Sequence, residues 1–222
     1  MISKVVNFLG LMLPWWLRYR LLNRVLGYRI HPTSRIGWAW VLPERLVMEE
    51  YSRIGRLTVC KGMGLVHLKR HASIGRGNWI SGYPVEEHGH YCHQPDRISE
   101  LVVGEHSSIT SRHLIDCTNS VVIGKFSTLA GYRSQILTHS IDLTFCRQSS
   151  APVKIGSYCF VGTGSVILGG SSLPDFSVLG AMALLNKSYS QCYTMYGGVP
   201  AKPIKMLPPD MSYFSRTDGF VI

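Results

Sequence analysis

In the stretch SQILTHSIDLTFCRQ, His139 stands between two hydroxyl residues, Thr138 and Ser140, with Asp142 three positions on. An imidazole can take a proton from a hydroxyl near neutral pH, and a neighbouring carboxylate can hold the ring in the tautomer that does so. The expected chemistry is proton abstraction by His139, with Asp142 as the orienting carboxylate. A second grouping, HGHYCH, puts His88, His90, Cys92 and His93 within six residues, all competent zinc ligands. Because all four come from one loop, they read as an ordinary surface segment or the lining of a substrate pocket, and no metal site is expected. The six cysteines, at 60, 92, 117, 146, 159 and 192, form no C-x-x-C pair, which suits a reducing cytoplasm. Cys146 lies close to His139 but has no evident partner that would lower its pKa, so a covalent cysteine route is not favoured.

The elements that must carry these residues follow from a beat of six. From residue 155 an aliphatic side chain recurs at Ile155, Val161, Ile167, Leu173, Leu179 and Leu185, and small residues follow four positions later at Cys159, Ser165, Ser171, Ser177 and Ala183. Six is the period of neither an α-helix nor a simple strand. Position four of one hexad and position one of the next lie two apart and so point the same way along a strand. Each hexad is therefore a short strand with two inward side chains, followed by a corner. Three hexads close a triangular coil of 18 residues, and stacked coils bury an aliphatic column, as in a parallel β-helix. Less regular copies run upstream: Ile30 and Ile36 with Ser34 and Trp40, Met48 and Ile54 with Ser52 and Thr58, Leu68 and Ile74 with Ala72 and Asn78, then Val103, Ile109 and Ile115 with Ser107, His113 and Asn119, and Ile123 and Leu129 with Ser127. His139 gains interest from its place here, in an insertion that leaves the coil at about Gln135 and rejoins it at Val153. Another insertion spans 80–102. Insertions in a solenoid are where function concentrates.

Composition supports one repeat domain and narrows its partners. The 222 residues carry a formal charge of +10, yet no long basic run and no nucleic-acid-binding signature, so nucleic acid is not an expected partner. The excess collects at Arg18, Arg20, Arg24 and Arg29 and again at Lys187, Lys202 and Lys205. These places suit lipid headgroups or a phosphorylated cofactor. The apolar run from Val5 to Leu17 contains Asn7 and Pro14 and is too short to span a bilayer. Residues 1–29 are expected to form a helical segment that caps the first coil or lies on a membrane surface. Residues 30–207 form the repeat domain, and 208–222 a C-terminal tail.

The hexads, the histidine-bearing insertion and the tail YGGVPAKPIKML at 196–207 together resemble the hexapeptide-repeat acyltransferases, most nearly those that O-acetylate bacterial surface polysaccharides. The resemblance covers roughly residues 30 to 207. It implies an all-β, left-handed parallel β-helix, trimeric assembly, and acetyl-CoA as acyl donor to a sugar hydroxyl. The acceptor would be a sugar or a lipid-linked oligosaccharide. It also implies His139 as the base, Gly162, Thr163, Gly180 and Ala181 along the pantetheine arm, and Lys187, Lys202 and Lys205 at the cofactor phosphates. His113, Asp116, Tyr132 and Arg133 are the candidates for acceptor binding. A relative of the same fold, the γ-class carbonic anhydrase, holds a metal with histidines from separate coils, so a metalloenzyme is one alternative and a non-catalytic β-helix scaffold another.

Overall fold

The computed structural model describes residues 2–85 and 90–219, with side chains from Val5 onward. Two-, three- and four-residue strands dominate, because each hexad spends only part of its length extended before a corner turns the chain. They stack into three parallel sheets that form the faces of a prism. The first face runs from Arg29–Ile30 through Leu65–Leu68 and Glu100–Val103 to Ser172–Leu173, and the second from Arg35–Ile36 through Ser108–Ile109 to Val178–Leu179. The third runs from Trp40–Leu42 through Trp79–Ser81, Leu114–Asp116 and Gln135–Leu137 to Leu184–Leu185. This is a parallel β-helix.

Register shows why the six-residue beat specifies it. On the second face Ile36, Ile54, Ile74, Ile109, Leu129, Val161 and Leu179 lie directly above one another, each at most 4% exposed. The expected small slots at Ser52, Ser107, Ser127, Cys159, Ser165 and Ser177 are buried as well. Many of their hydroxyls donate to carbonyls of the coil above, as Ser107 does to Gly124 (2.6 Å) and Ser127 to Gly156 (2.6 Å). One early assignment shifts: Trp40 points outward, and Ala39 and Val41 take the inward positions, because that corner is one residue shorter than the hexad pattern requires. Close stacking also constrains corners; a Cβ on Gly104 would come within 2.5 Å of the Gly124 carbonyl carbon in the next coil.

A corner between the first and second faces is built differently. Tyr51, His71, His106, Phe126, Tyr158, Phe176 and Tyr193 all adopt the left-handed conformation with φ between 50° and 57°, and their rings stack in one ladder at centroid separations of 4.6–5.3 Å. Non-glycine residues in this conformation cost energy, which ring stacking offsets. The residues expected to form a tail fold back over this ladder. A short helix at Ser212–Ser215 sets Phe214 edge-on against Phe176 and Tyr193, and the Arg216 guanidinium lies 3.7 Å from the Tyr213 ring centroid.

At the other end, α1 (Ile2–Leu11) and α2 (Trp15–Leu26) lie across the first coil. A solenoid end exposes unpaired backbone groups. Asn7 Nδ2 donates to the Val41 carbonyl at 2.6 Å, and Arg18 donates to the carbonyls of Gly37 (2.7 Å) and Ala39 (3.0 Å). The Asn23 amide pairs with both backbone groups of Ile30, and Leu22 packs into the core beneath. The N-terminal helices therefore cap the coil. Among the described residues, no helix is long and apolar enough to cross a membrane.

Candidate functional site

The strand Gln135–Leu137 belongs to the third face, paired on both sides, so the insertion begins at Thr138 rather than at Gln135. His139–Asp142 and Arg147–Ser150 then form an antiparallel hairpin, and the chain rejoins the coil at Val153 as the spacing predicts. Because Leu114–Asp116 and Gln135–Leu137 pair in register, Asp116 stands beside Leu137, with Thr138 and His139 just beyond it.

That placement sets Asp116, and not Asp142, against the His139 ring. Asp116 Oδ2 lies 2.9 Å from His139 Nδ1 and also accepts from the His139 and Thr138 backbone N–H groups, both 2.9 Å, and from the Thr138 hydroxyl at 2.6 Å. Its Oδ1 accepts from the backbone N–H and hydroxyl of Thr118. Burial alone would raise the Asp116 pKa; the hydrogen bonds from Thr138, Thr118 and His139 outweigh it and hold the pKa below the ordinary carboxylate value. An ionised carboxylate only accepts, so the proton between them sits on Nδ1 and the Nε2 lone pair is left free. Asp142 is engaged elsewhere, accepting from the backbone N–H groups of Thr144 and Phe145 in the hairpin turn and facing Arg147.

The half-exposed His139 ring opens into a cleft of about 350 Å³ bounded by Ser81, Tyr83, His90, Tyr91 and Gln148. The first insertion supplies one wall and the hairpin the other. Gln94 clamps the two together through both the backbone and the hydroxyl of Ser150. Arg97, 5% exposed, donates to the carbonyls of Tyr83, Pro84 and Thr118 and lies 4.5 Å from the Tyr91 ring centroid. Tyr83, Tyr91, Gln94, Arg97 and Gln148 were not singled out from the sequence; their position in the two insertions is the signal that could have nominated them. Of the HGHYCH group, His90 lines this cleft, His93 lies in a neighbouring one, and His88 lies outside the described residues. Among the described residues, no three His, Cys, Asp or Glu side chains gather as a metal site would require.

The other nominated residues separate. His113 is 2% exposed inside the coil, where its Nε2 meets the Thr110 hydroxyl at 2.9 Å and its Nδ1 accepts from the Ser134 N–H. Burial depresses its pKa to about 4. It is a neutral core residue and cannot touch an acceptor. Tyr132 and Arg133 are exposed, but at the corner between the second and third faces, whereas His139 lies where the third face turns to the first. Gly162, Thr163, Gly180 and Ala181 occupy that same second-to-third corner; the Thr163 hydroxyl donates to the Tyr132 carbonyl, and a Cβ on Gly162 would meet Ala181 N at 2.5 Å. Lys187 is on the His139 side, two coils farther along, since Leu185 stacks on Ile167 and Ile167 on Ile136. Lys202 and Lys205 project from a final hairpin, Thr194–Gly198 with Ala201–Met206, added to the second face.

Comparison with solved structures matches this architecture. A hexapeptide-repeat-containing acetyltransferase from Vibrio cholerae aligns over 93% of this chain and 89% of its own, with a TM-score of 0.50 at 16% identity. The chain has the hexapeptide-repeat β-helix fold. The Vibrio cholerae protein is also known in complex with acetyl coenzyme A, in a structure that aligns over 93% of this chain and 85% of its own at the same identity and TM-score. A mutant of AntD, an N-acyltransferase from Bacillus cereus bound to coenzyme A and dTDP-4-amino-4,6-dideoxyglucose, aligns over 86% of this chain and 89% of its own, with a TM-score of 0.51 at 15% identity. No protein-family profile matches the chain, and no curated protein matches it by sequence.

Proposed function

We propose that this protein is an acetyl-CoA-dependent O-acetyltransferase acting on a hydroxyl of a sugar in bacterial surface-polysaccharide synthesis, with His139 as general base. The observation that carries the reading is the 2.9 Å contact between His139 Nδ1 and a buried, ionised Asp116, which leaves Nε2 basic at the mouth of a cleft sized for a sugar. Nε2 takes the proton from the acceptor hydroxyl as its oxygen bonds to the thioester carbonyl carbon. The tetrahedral adduct collapses, the carbon–sulfur bond breaks, and the departing thiolate takes the proton back from the imidazolium. The product is an acetyl ester and free coenzyme A, with His139 restored. Tyr83, His90 and Tyr91 offer one wall of ring edges and polar tips for a sugar. Binding of acetyl coenzyme A and of a nucleotide-linked sugar by proteins of this fold supports the donor and the acceptor class.

Trimeric assembly is part of the proposal. The nominated pantetheine residues lie at a different corner of the prism from His139, so a neighbouring copy must bring its second-to-third corner to the His139 cleft to complete the site. Lys187, Lys202 and Lys205 then meet the cofactor phosphates, and the dependence on acetyl-CoA places the reaction in the cytoplasm. Labelled acetyl-CoA presented with a panel of nucleotide sugars and lipid-linked oligosaccharides tests the reading. Transfer to a sugar hydroxyl by a trimer is expected. Absence of acetyl-CoA binding would favour a scaffold, and transfer to an amine alone would overturn O-acetylation.

A further inference from the structure

The N-terminal cap is built inside out. Capping a free coil edge needs hydrogen-bond donors, so α1 and α2 turn Asn7 and Arg18 toward the coil. Their opposite side is apolar. Val5, Phe8, Leu9 and Met12 recur at helical spacing along one line of α1 and its end, and Phe8 and Met12 are 61% and 76% exposed. Leu13 and Trp16 continue the patch onto α2. A cap alone does not require this face, and large contiguous apolar patches are uncommon on free surfaces.

The surrounding charge identifies what covers it. Trp16, Arg20 and Arg24 follow one another at intervals of four on α2, and the Arg20 guanidinium lies over the Trp16 ring at 5.9 Å. Both arginines are exposed, as is Arg29 just beyond the helix. Neither helix carries a carboxylate, the first acidic residue of the chain being Glu44, and Glu49 and Glu50 of the next coil line a cleft beside Arg29. Two copies meeting through this face would bring like charges together. A tryptophan at the boundary of an apolar stripe flanked by arginines matches the depth profile of a bilayer interface, whose surface is anionic. We propose that the outer face of α1 and α2 docks the protein on an anionic lipid bilayer, Phe8, Leu9, Met12 and Trp16 entering the acyl boundary and Arg20 and Arg24 meeting the headgroups.

Vesicle co-sedimentation of the full chain tests this independently of any transferase activity. Binding to phosphatidylglycerol-containing vesicles is expected, weakened by salt and much reduced on phosphatidylcholine alone. Arg20→Gln with Arg24→Gln should lower the partition about 25-fold, at roughly fivefold per arginine. Phe8→Ser with Met12→Ser should abolish binding to both vesicle types while leaving the thermal transition in place, since both side chains already lie in water. Wild-type protein that ignores anionic vesicles at low salt overturns the proposal. So does a finding that Phe8→Ser with Met12→Ser instead dissociates an oligomer, which would make the face a contact between copies.

Discussion

Two histidines on successive coils, His113 and His139, meet opposite fates. His113 occupies an inward slot of the repeat, accepts a hydrogen bond at Nδ1, donates at Nε2 and is sealed from water. His139 lies just past the end of the next coil's strand, where Asp116 accepts the hydrogen bond from its Nδ1–H and the rest of the ring faces a cleft. The residue type is the same. What differs is whether a ring nitrogen is left unsatisfied at a surface where a substrate can reach it, which is the condition for acid–base work. A regular coil saturates its own polar groups, and the insertion leaves one open.

Substitutions break that contrast in graded ways. His139→Ala should slow acetyl transfer by about 10²–10⁴-fold in kcat, with the KM for acetyl-CoA nearly unchanged and the fold intact, because the side chain is half exposed and outside the packed column. Near-normal turnover with the true acceptor would remove His139 from the chemistry. Asp116→Asn should cost on the order of 10²-fold, since an amide NH₂ facing Nδ1 favours the tautomer whose Nε2 is already protonated. A thermal melt distinguishes this loss from one caused by unfolding.

The buried histidine should show itself in stability rather than rate. Its folded pKa, about 4, lies below the unfolded value of about 6.5, so between these values the unfolded chain binds more protons. Stability should therefore be fully present above pH 6.5 and fall as pH drops toward 4, with a slope of at most about 1.4 kcal/mol per pH unit from this residue. His113→Gln should flatten that slope in denaturant titrations across the window; an unchanged slope would mean another group dominates. The smallest effect is expected from Asp142→Asn, which should leave kcat within about twofold because Asp142 holds only the hairpin turn. A loss comparable to that of Asp116→Asn would restore Asp142 as the orienting group.

Much of this was legible in the chain itself. The aliphatic residues of the second face, the small slots at Ser107, Ser127, Ser165 and Ser177, the re-entry at Val153 and the place of His139 in an insertion all follow from a local six-residue pattern. The carboxylate that meets His139 shows the limit of local reading. Asp142 is three residues from His139 and Asp116 is twenty-three, so proximity in sequence favours Asp142, whereas the ring contact is made by Asp116. Alignment of Ile115 over Ile136 would have set Asp116 beside Leu137, but it requires knowing that the coil after Leu129 takes one extra residue before Ser134 turns inward. The aromatic ladder was hidden for a similar reason, its members falling 17 to 35 residues apart.

The sequence by itself determined the repeating unit, because side-chain alternation and corner spacing act within a few residues and each hexad states them again. Only the tertiary structure decided which polar groups meet. The Asp116–His139 pair, the Gln94 clamp between two insertions, and the polar inner and apolar outer faces of the N-terminal helices depend on how coils stack and where insertions fold back. Those contacts join residues far apart in the chain, and no periodicity encodes them.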